Sequence, residues 1–320
     1  MKQEYAISHW PDSKEILENL RVLANELPVY QINRSTMNEY LEKYESKFAK
    51  SKQMVELARQ RIPGGVQHNL AFNYPFPLAI AKADGAYLYD VSGNRFIDFL
   101  QAGGPTVLGS NYKPVRDKVL ELINECGPVT GLFHEYEYKL ADLIHSHVPT
   151  VEMFRSLASG TEGCMAAIRA ARCFTDKKFV IKVGGGYHGW SDQFVFAMRI
   201  PGLGTLDSHG IPEGCFQYMQ EFYPNDTAAL EKLLKDNESK GGTAAVIVEP
   251  LGPESGTRPV HRDFNEKVKA LCDSYGTLLI FDEVVTGFRV GLGGAQGYFD
   301  IKPDLTVFGK CVAGGYPAAG

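Results

Sequence analysis

Apolar positions along the chain follow two regimes. In the first sixty or so residues they recur at helical spacing, as Ile16, Leu20, Leu23 and Leu27, then as Met37, Tyr40, Leu41, Tyr44 and Phe48. Steps of three and four put each set on one helix face. Pro28 stops the first helix, and a capping box, Thr36-x-x-Glu39, starts the second. Pro63-Gly64-Gly65 is the expected end of this helical stretch. A short β-meander follows. Tyr87, Tyr89 and Val91 share one face, Leu88 and Asp90 the other, and Ser92-Gly93-Asn94 turns the chain back through Arg95-Phe96-Ile97-Asp98-Phe99.

From about residue 105 short apolar runs alternate with helical stretches. The runs predict strands at 154–157, 179–183, 244–248, 278–281 and 305–308. Near-continuous apolar strands separated by helices predict the α/β class, with a mostly parallel central sheet covered on both faces. Each strand is followed by polar or glycine-rich residues: Ser159-Gly160-Thr161, Gly184 to Gly189, Glu249-Pro250, Asp282-Glu283 and Gly309-Lys310. Ligands of open α/β sheets bind beyond the carboxyl ends of the strands, so these groups predict one site.

Composition narrows the partners. The 320 residues carry 33 Lys plus Arg against 38 Asp plus Glu, a net charge of −5, which disfavours nucleic acid or an anionic membrane. At 44% hydrophobic and 22% charged, the chain has the composition of a folded protein. Cys126, Cys164, Cys173, Cys215, Cys272 and Cys311 are scattered, with no zinc-finger spacing, so no metal is expected. Reduced thiols, no apolar run of the roughly 20 residues that span a bilayer and no apolar signal region at Met1-Lys2-Gln3-Glu4-Tyr5 lead to the expectation of a cytoplasmic protein.

Taken singly, each candidate group has an ordinary explanation. Ser159-Gly160-Thr161 at a helix start suits a phosphate, yet many helices start with Ser and bind nothing. Gly184-x-Gly186-x-x-Gly189 matches a dinucleotide fingerprint weakly, because Tyr187, His188 and Trp190 crowd the turn and Asp207 lies in a loop. Tyr187 or His188 could instead stack on a cofactor ring. Asp282 at the end of a buried strand needs a partner, with Arg289 the candidate for an ordinary salt bridge. Lys310 alone reads as a snorkelling surface cation. Together, a phosphate cradle, an aromatic stacker, a strand-end Asp and a strand-end Lys are the parts that hold pyridoxal phosphate.

With these residues in place, the chain from about Met54 to Gly320 resembles the class III, fold type I, pyridoxal-phosphate aminotransferases. The marks are Pro63-Gly64-Gly65-Val66, Asp90-x-x-Gly93-Asn94-Arg95-Phe96-Ile97-Asp98, Ser159-Gly160-Thr161-Glu162 and Tyr187-His188-Gly189. Further on come Phe281-Asp282-Glu283-Val284-x-Thr286-Gly287-Phe288-Arg289 and Pro303-Asp304-Leu305-Thr306-x-x-Gly309-Lys310. The likeness is nearest to the branch of the glutamate-1-semialdehyde 2,1-aminomutases. The resemblance implies that Lys310 carries the coenzyme as a Schiff base and that Asp282 meets the pyridine nitrogen. It implies that Val284 and Tyr187 cover the two ring faces, with His188 beside Tyr187, and that Ser159, Gly160 and Thr161 hold the phosphate. Lys310, Asp282 and Tyr187 are the catalytic group it implies. Glu254 falls where the aminomutases usually carry Asn and many other class III members carry Glu.

The resemblance further implies an amino group moved from an amino acid or amine donor to a keto or aldehyde acceptor, in a homodimer with shared sites. An intramolecular aminomutase is the alternative, racemisation a related possibility, and a non-catalytic binding fragment or a nicotinamide oxidoreductase the rivals. Departures bear on substrate. Where the aminomutases continue from Pro-Gly-Gly-Val to a carboxylate-binding arginine, this chain has Gln67-His68-Asn69-Leu70-Ala71, and Gly103 replaces their tryptophan. Pro201 to Gly214 resembles their gating loop and suits a mobile lid. The expected division is residues 1–100, a helical segment and meander belonging to a small domain, and 101–320, a large coenzyme domain that stops short of the family's C-terminal part.

Overall fold

The structure, a computed structural model, describes residues 4–68, 71–127 and 131–320. Three helices come first: α1 (Ser13–Asn25), α2 (Arg34–Lys47) and α3 (Ala49–Ala58). Strands β1 (Ile80–Asp84), β2 (Tyr87–Asp90) and β3 (Arg95–Ile97) form an antiparallel sheet in that order. Helices α4 (Lys113–Cys126), α5 (Glu135–His147) and α6 (Gly160–Thr175) lead to β4 (Phe179–Val183). The single turn α7 (Glu213–Phe216), β5 (Met219–Phe222), α8 (Thr227–Glu238) and β6 (Thr243–Val248) come next. The short turn α9 (Pro253–Gly256), α10 (Phe264–Ser274), β7 (Leu278–Glu283), α11 (Gly294–Phe299) and β8 (Leu305–Phe308) complete the order. The chain divides into two compact units, Met1–Leu23 with Gly131–Gly320, and Ala24–Thr130.

In the smaller unit Phe48, Val55 and Phe76 make a core joined by Tyr44, Leu78 and Phe96. Only the C-terminal end of the apolar stripe on α2 is used, since Met37 and Tyr40 stay exposed. The cap of α2 also differs from expectation. Asn33, not Thr36, is the N-cap, and its side-chain oxygen accepts the Thr36 N–H at 3.2 Å. The helices stop at Ala58, earlier than expected, and Pro63–Gly65 is a separate 3-10 turn. The β2–β3 turn is held by buried Asp90, whose carboxylate accepts Ser92 N–H, Asn94 N–H and Asn94 Nδ2 at 2.8–2.9 Å.

The larger unit is built on a five-stranded parallel sheet in the order β5-β4-β6-β7-β8. On one face Ile181, Val183, Val246, Val248, Leu279 and Phe281 pack with residues of α8 and α10. On the other, Val180, Ala245, Ile247, Ile280 and Val307 meet Cys164, Ala167, Ile168 and Ala171 of α6. All of β6 is buried, as expected for a central strand covered on both faces. One expectation is corrected, and one strand was not foreseen. Residues 154–157 form no strand: only Leu157 pairs, with Ala319, while Phe154 packs against Phe308. The edge strand β5 went unread because its centre, Gln220-Glu221, is polar and partly exposed.

Candidate active site

Four elements bring the candidate residues to the carboxyl end of the large sheet. Ser159 is the N-cap of helix α6, and its extended backbone ends the preceding loop. Its Oγ accepts the Glu162 N–H at 3.3 Å, and Glu162 Oε2 accepts from Ser159 Oγ and the Ala158 N–H. This reciprocal cap leaves the N–H groups of the first helical turn, at Gly160 and Thr161, available to an anion. A methyl group on Gly160 would lie 2.8 Å from Val284 Cγ2, and one on Gly309 3.1 Å from Val284 Cγ1. Val284 therefore joins the start of α6 to the ends of β7 and β8. The Tyr187-His188-Gly189 turn is laid on the same helix start. Gly189 has φ +96°, and a methyl group there would lie 2.7 Å from Thr161 Cα.

Asp282, 4% exposed and next to last in β7, is the acceptor of three donors. His188 Nδ1 lies 2.7 Å from Oδ2, Cys164 Sγ donates to the same oxygen at 3.5 Å, and the Val284 N–H donates to Oδ1 at 3.0 Å. The partner of Asp282 is thus His188; Arg289, the sequence-based candidate, donates Nε to Val285 O. Burial, reinforced by the Asp282 charge, pushes the Cys164 thiol well up, which keeps it a proton donor. Cys164, His188 and Asp282 have the donor types of a metal site. Their contact is instead a direct hydrogen bond: ligands about 2.0–2.2 Å from a tetrahedral ion stand wider apart than the 2.7 Å between Nδ1 and Oδ2. His188 Nε2 is buried and has no hydrogen-bond partner among the described residues.

Lys310 follows β8 with a left-handed backbone, φ +45°. Burial lowers the pKa of its amine, and the charges of Asp282 and Glu249 oppose that shift only in part. A lysine that loses its proton more easily than usual holds more of its amine in the free, nucleophilic form near neutral pH. The Tyr187 ring is 45% exposed, free to meet a ligand, while its backbone N–H is tied to Glu249 Oε1 at 2.8 Å.

Lys182 and Glu249 are buried charges that were given no role from sequence. Lys182 is fully buried in β4 and donates to Gly186 O at 2.8 Å, Phe196 O at 3.0 Å and Phe194 O at 3.4 Å. Burial lowers its pKa to about 8. Glu249, 6% exposed at the end of β6, is held up by burial above the usual carboxylate range. The available signals were a lysine inside Phe-Val-Ile-Lys-Val and a carboxylate between Val248 and Pro250.

The remaining expectations sort by the same geometry. The Gly184–Gly189 turn opens no helix, since the next helical residues after β4 are Glu213–Phe216, so the dinucleotide pattern lacks the helix it needs. The Pro201–Gly214 stretch is fastened near its start, where Gly202 and Gly204 N–H groups donate to Glu221 at 2.9 and 2.7 Å. Asn69 and Leu70, in the segment lacking the aminomutase arginine, and Met1 to Gln3 lie outside the described residues. The donor set suits pyridoxal phosphate: an anion-ready helix start, an acceptor carboxylate, an exposed aromatic and a partly desolvated amine.

The family profile for aminotransferase class-III matches residues 70–320. The chain belongs to the class-III aminotransferase family. Among curated members, it is 41% identical over 273 residues to the glutamate-1-semialdehyde 2,1-aminomutase 2 of Lachnoclostridium phytofermentans, covering 84% of this chain and 63% of that protein. It is 40% identical over 271 residues to the aminomutase of Ignicoccus hospitalis, with the same coverages. The chain thus spans 63% of the length of these curated relatives. Among solved structures, an omega-transaminase from Sphaerobacter thermophilus matches with a TM-score of 0.78 at 29% identity, covering 84% of this chain and 62% of that one. A beta-phenylalanine aminotransferase from Variovorax paradoxus matches with a TM-score of 0.78 at 28% identity, covering 89% and 63%. The class-III chain therefore has the fold type I architecture that its motifs implied, with a parallel sheet and flanking helices.

Proposed function

We propose that the protein is a pyridoxal-phosphate-dependent aminotransferase that moves an amino group from an amino acid or amine donor to a keto or aldehyde acceptor. The observation that carries this reading is the convergence on Val284, between Gly160 and Gly309, of the helix start, the Asp282 strand end and the Lys310 strand end. When bound, pyridoxal phosphate supplies an aldehyde that condenses with amines and a ring that draws electrons from the substrate carbon. Ser159, Gly160 and Thr161 would hold its phosphate at the start of α6. Asp282, supported by His188, Cys164 and the Val284 N–H, would accept from the ring nitrogen and keep it protonated. Tyr187 and Val284 would cover the two ring faces.

Lys310 has two tasks. Its amine, whose pKa burial lowers, would hold the coenzyme through the aldehyde. The same amine, when free, would be the base that moves the proton at the donor carbon. The reading carries with it a homodimer with shared sites, which rests on the resemblance alone. It also carries a cytoplasmic location, which rests on the scattered thiols and the apolar pattern of the sequence.

The aminomutase reading is favoured by the names of the curated relatives at 40–41% identity. Against it stand the missing arginine after Val66 and Gly103 in place of a tryptophan. Donor profiling of the full protein loaded with pyridoxal phosphate separates them. A keto product that accumulates catalytically only with an added keto or aldehyde acceptor supports the aminotransferase. Conversion of glutamate-1-semialdehyde to its isomer without an acceptor overturns it in favour of the mutase.

A further inference from the structure

Glu249 is a buried carboxylate that meets two loops far apart in sequence. Oε1 accepts the Tyr187 N–H at 2.8 Å and the Glu254 N–H at 3.0 Å. Oε2 accepts the Ser255 N–H at 2.7 Å and Ser255 Oγ at 3.3 Å. Glu254 and Ser255 are consecutive non-glycine residues in the left-handed region, at φ 49° and 59°. L-residues rarely hold that conformation side by side, so the turn needs outside support. Charge-assisted bonds to a desolvated carboxylate are the strong kind.

We propose that Glu249 is a positioning residue: its carboxylate clamps the Tyr187 turn to the Glu254–Ser255 turn and so sets where the aromatic cover stands over the coenzyme. This deepens the function proposed above and rests on it for the identity of what Tyr187 covers. The carboxylate reaches both loops because β6 ends beside β4, the strand that feeds the Tyr187 turn. Neither loop contacts the carboxylate through a side chain that substitution of Tyr187 or Glu254 would remove, since those bonds come from backbone N–H groups. Glutamine at 249 keeps one acceptor oxygen and turns an NH2 toward donors that have nowhere else to go. Aspartate keeps the charge and withdraws it by one methylene.

The test compares the full protein with Glu249→Gln and Glu249→Asp by hydrogen exchange at single-residue resolution, without coenzyme, and then measures pyridoxal phosphate affinity. Amides of Tyr187, Glu254 and Ser255 are expected to exchange at least tenfold faster in both variants, with the amides of β6 and β7 unchanged. The dissociation constant for pyridoxal phosphate is expected to rise about tenfold, with Lys310 still the residue modified. Faster exchange at 254–255 alone, or unchanged affinity, would reduce Glu249 to a local turn element and overturn the clamp. So would fast exchange throughout β6 and β7 in both variants, which would make the residue a requirement of the fold. If the wild-type protein places the coenzyme on no lysine or on another one, the proposed function fails, while the exchange result still decides whether the two turns are clamped.

Discussion

At single positions, steric fit separates residues that shape the site from others that only turn the chain. Gly93 and Gly189 both have positive φ, but a methyl group on Gly93 meets nothing within 4 Å whereas on Gly189 it meets Thr161. Gly93→Ala should cost about 1 kcal/mol, the penalty for a left-handed L-residue. Gly189→Ala should cost about 3 kcal/mol or more, because overpacking adds to the same backbone penalty. Denaturant midpoints check both, and equal costs would contradict the contact between the 187–189 turn and α6. The sequence marked Lys310 and Asp282 as candidates only in combination, since each charge follows an apolar run and each alone has an ordinary explanation. It did not show His188 as the partner of Asp282, because 94 residues separate them and only folding sets Nδ1 beside Oδ2.

Among the elements, buried charges fasten the loops to the strands. Lys182 keeps β4 joined to the 186–196 loop through three carbonyl groups. Its pKa is about 8 in the folded chain against an ordinary 10.5, so between those values the unfolded chain binds the extra proton and stability rises with pH. The cost is fully present below pH 8 and relieved as the pH rises through that window. Lys182→Met lacks this dependence. The stability of the wild type relative to Lys182→Met should therefore improve by about 2 kcal/mol between pH 7.5 and 9.5; a difference that does not change with pH would rule out a buried, titrating amine.

Glu283 does the same work for α11. It is fully buried and accepts the Ala295 N–H at 2.6 Å, the Gln296 N–H and Nε2 at 2.9 Å and Thr286 Oγ1 at 2.8 Å. Glu283→Ala strands those donors and should destabilise by about 3 kcal/mol or more, measured by thermal or denaturant unfolding. The central strands were legible because β6 and β7 are almost wholly apolar. The edge strand β5 was not, because one partly solvated side lets Gln220 and Glu221 interrupt the pattern, and Phe154–Leu157 misled because Phe154 packs against Phe308 and only Leu157 pairs, in a single bridge.

For the molecule as a whole, the sequence carried the parallel sheet and gathered the candidate residues at its strand ends, and the order β5-β4-β6-β7-β8 required the structure. The homodimer is a separate prediction: light scattering on the full protein should give twice the subunit mass, and a stable monomer would remove shared sites from the account. The proposed chemistry reduces to the bond between one amine and one aldehyde. The decisive measurement is borohydride reduction of the protein saturated with pyridoxal phosphate, followed by peptide mass spectrometry. One pyridoxyl group per subunit on Lys310, absent in Lys310→Ala, is the predicted result; the same group on another lysine, or none, would contradict it.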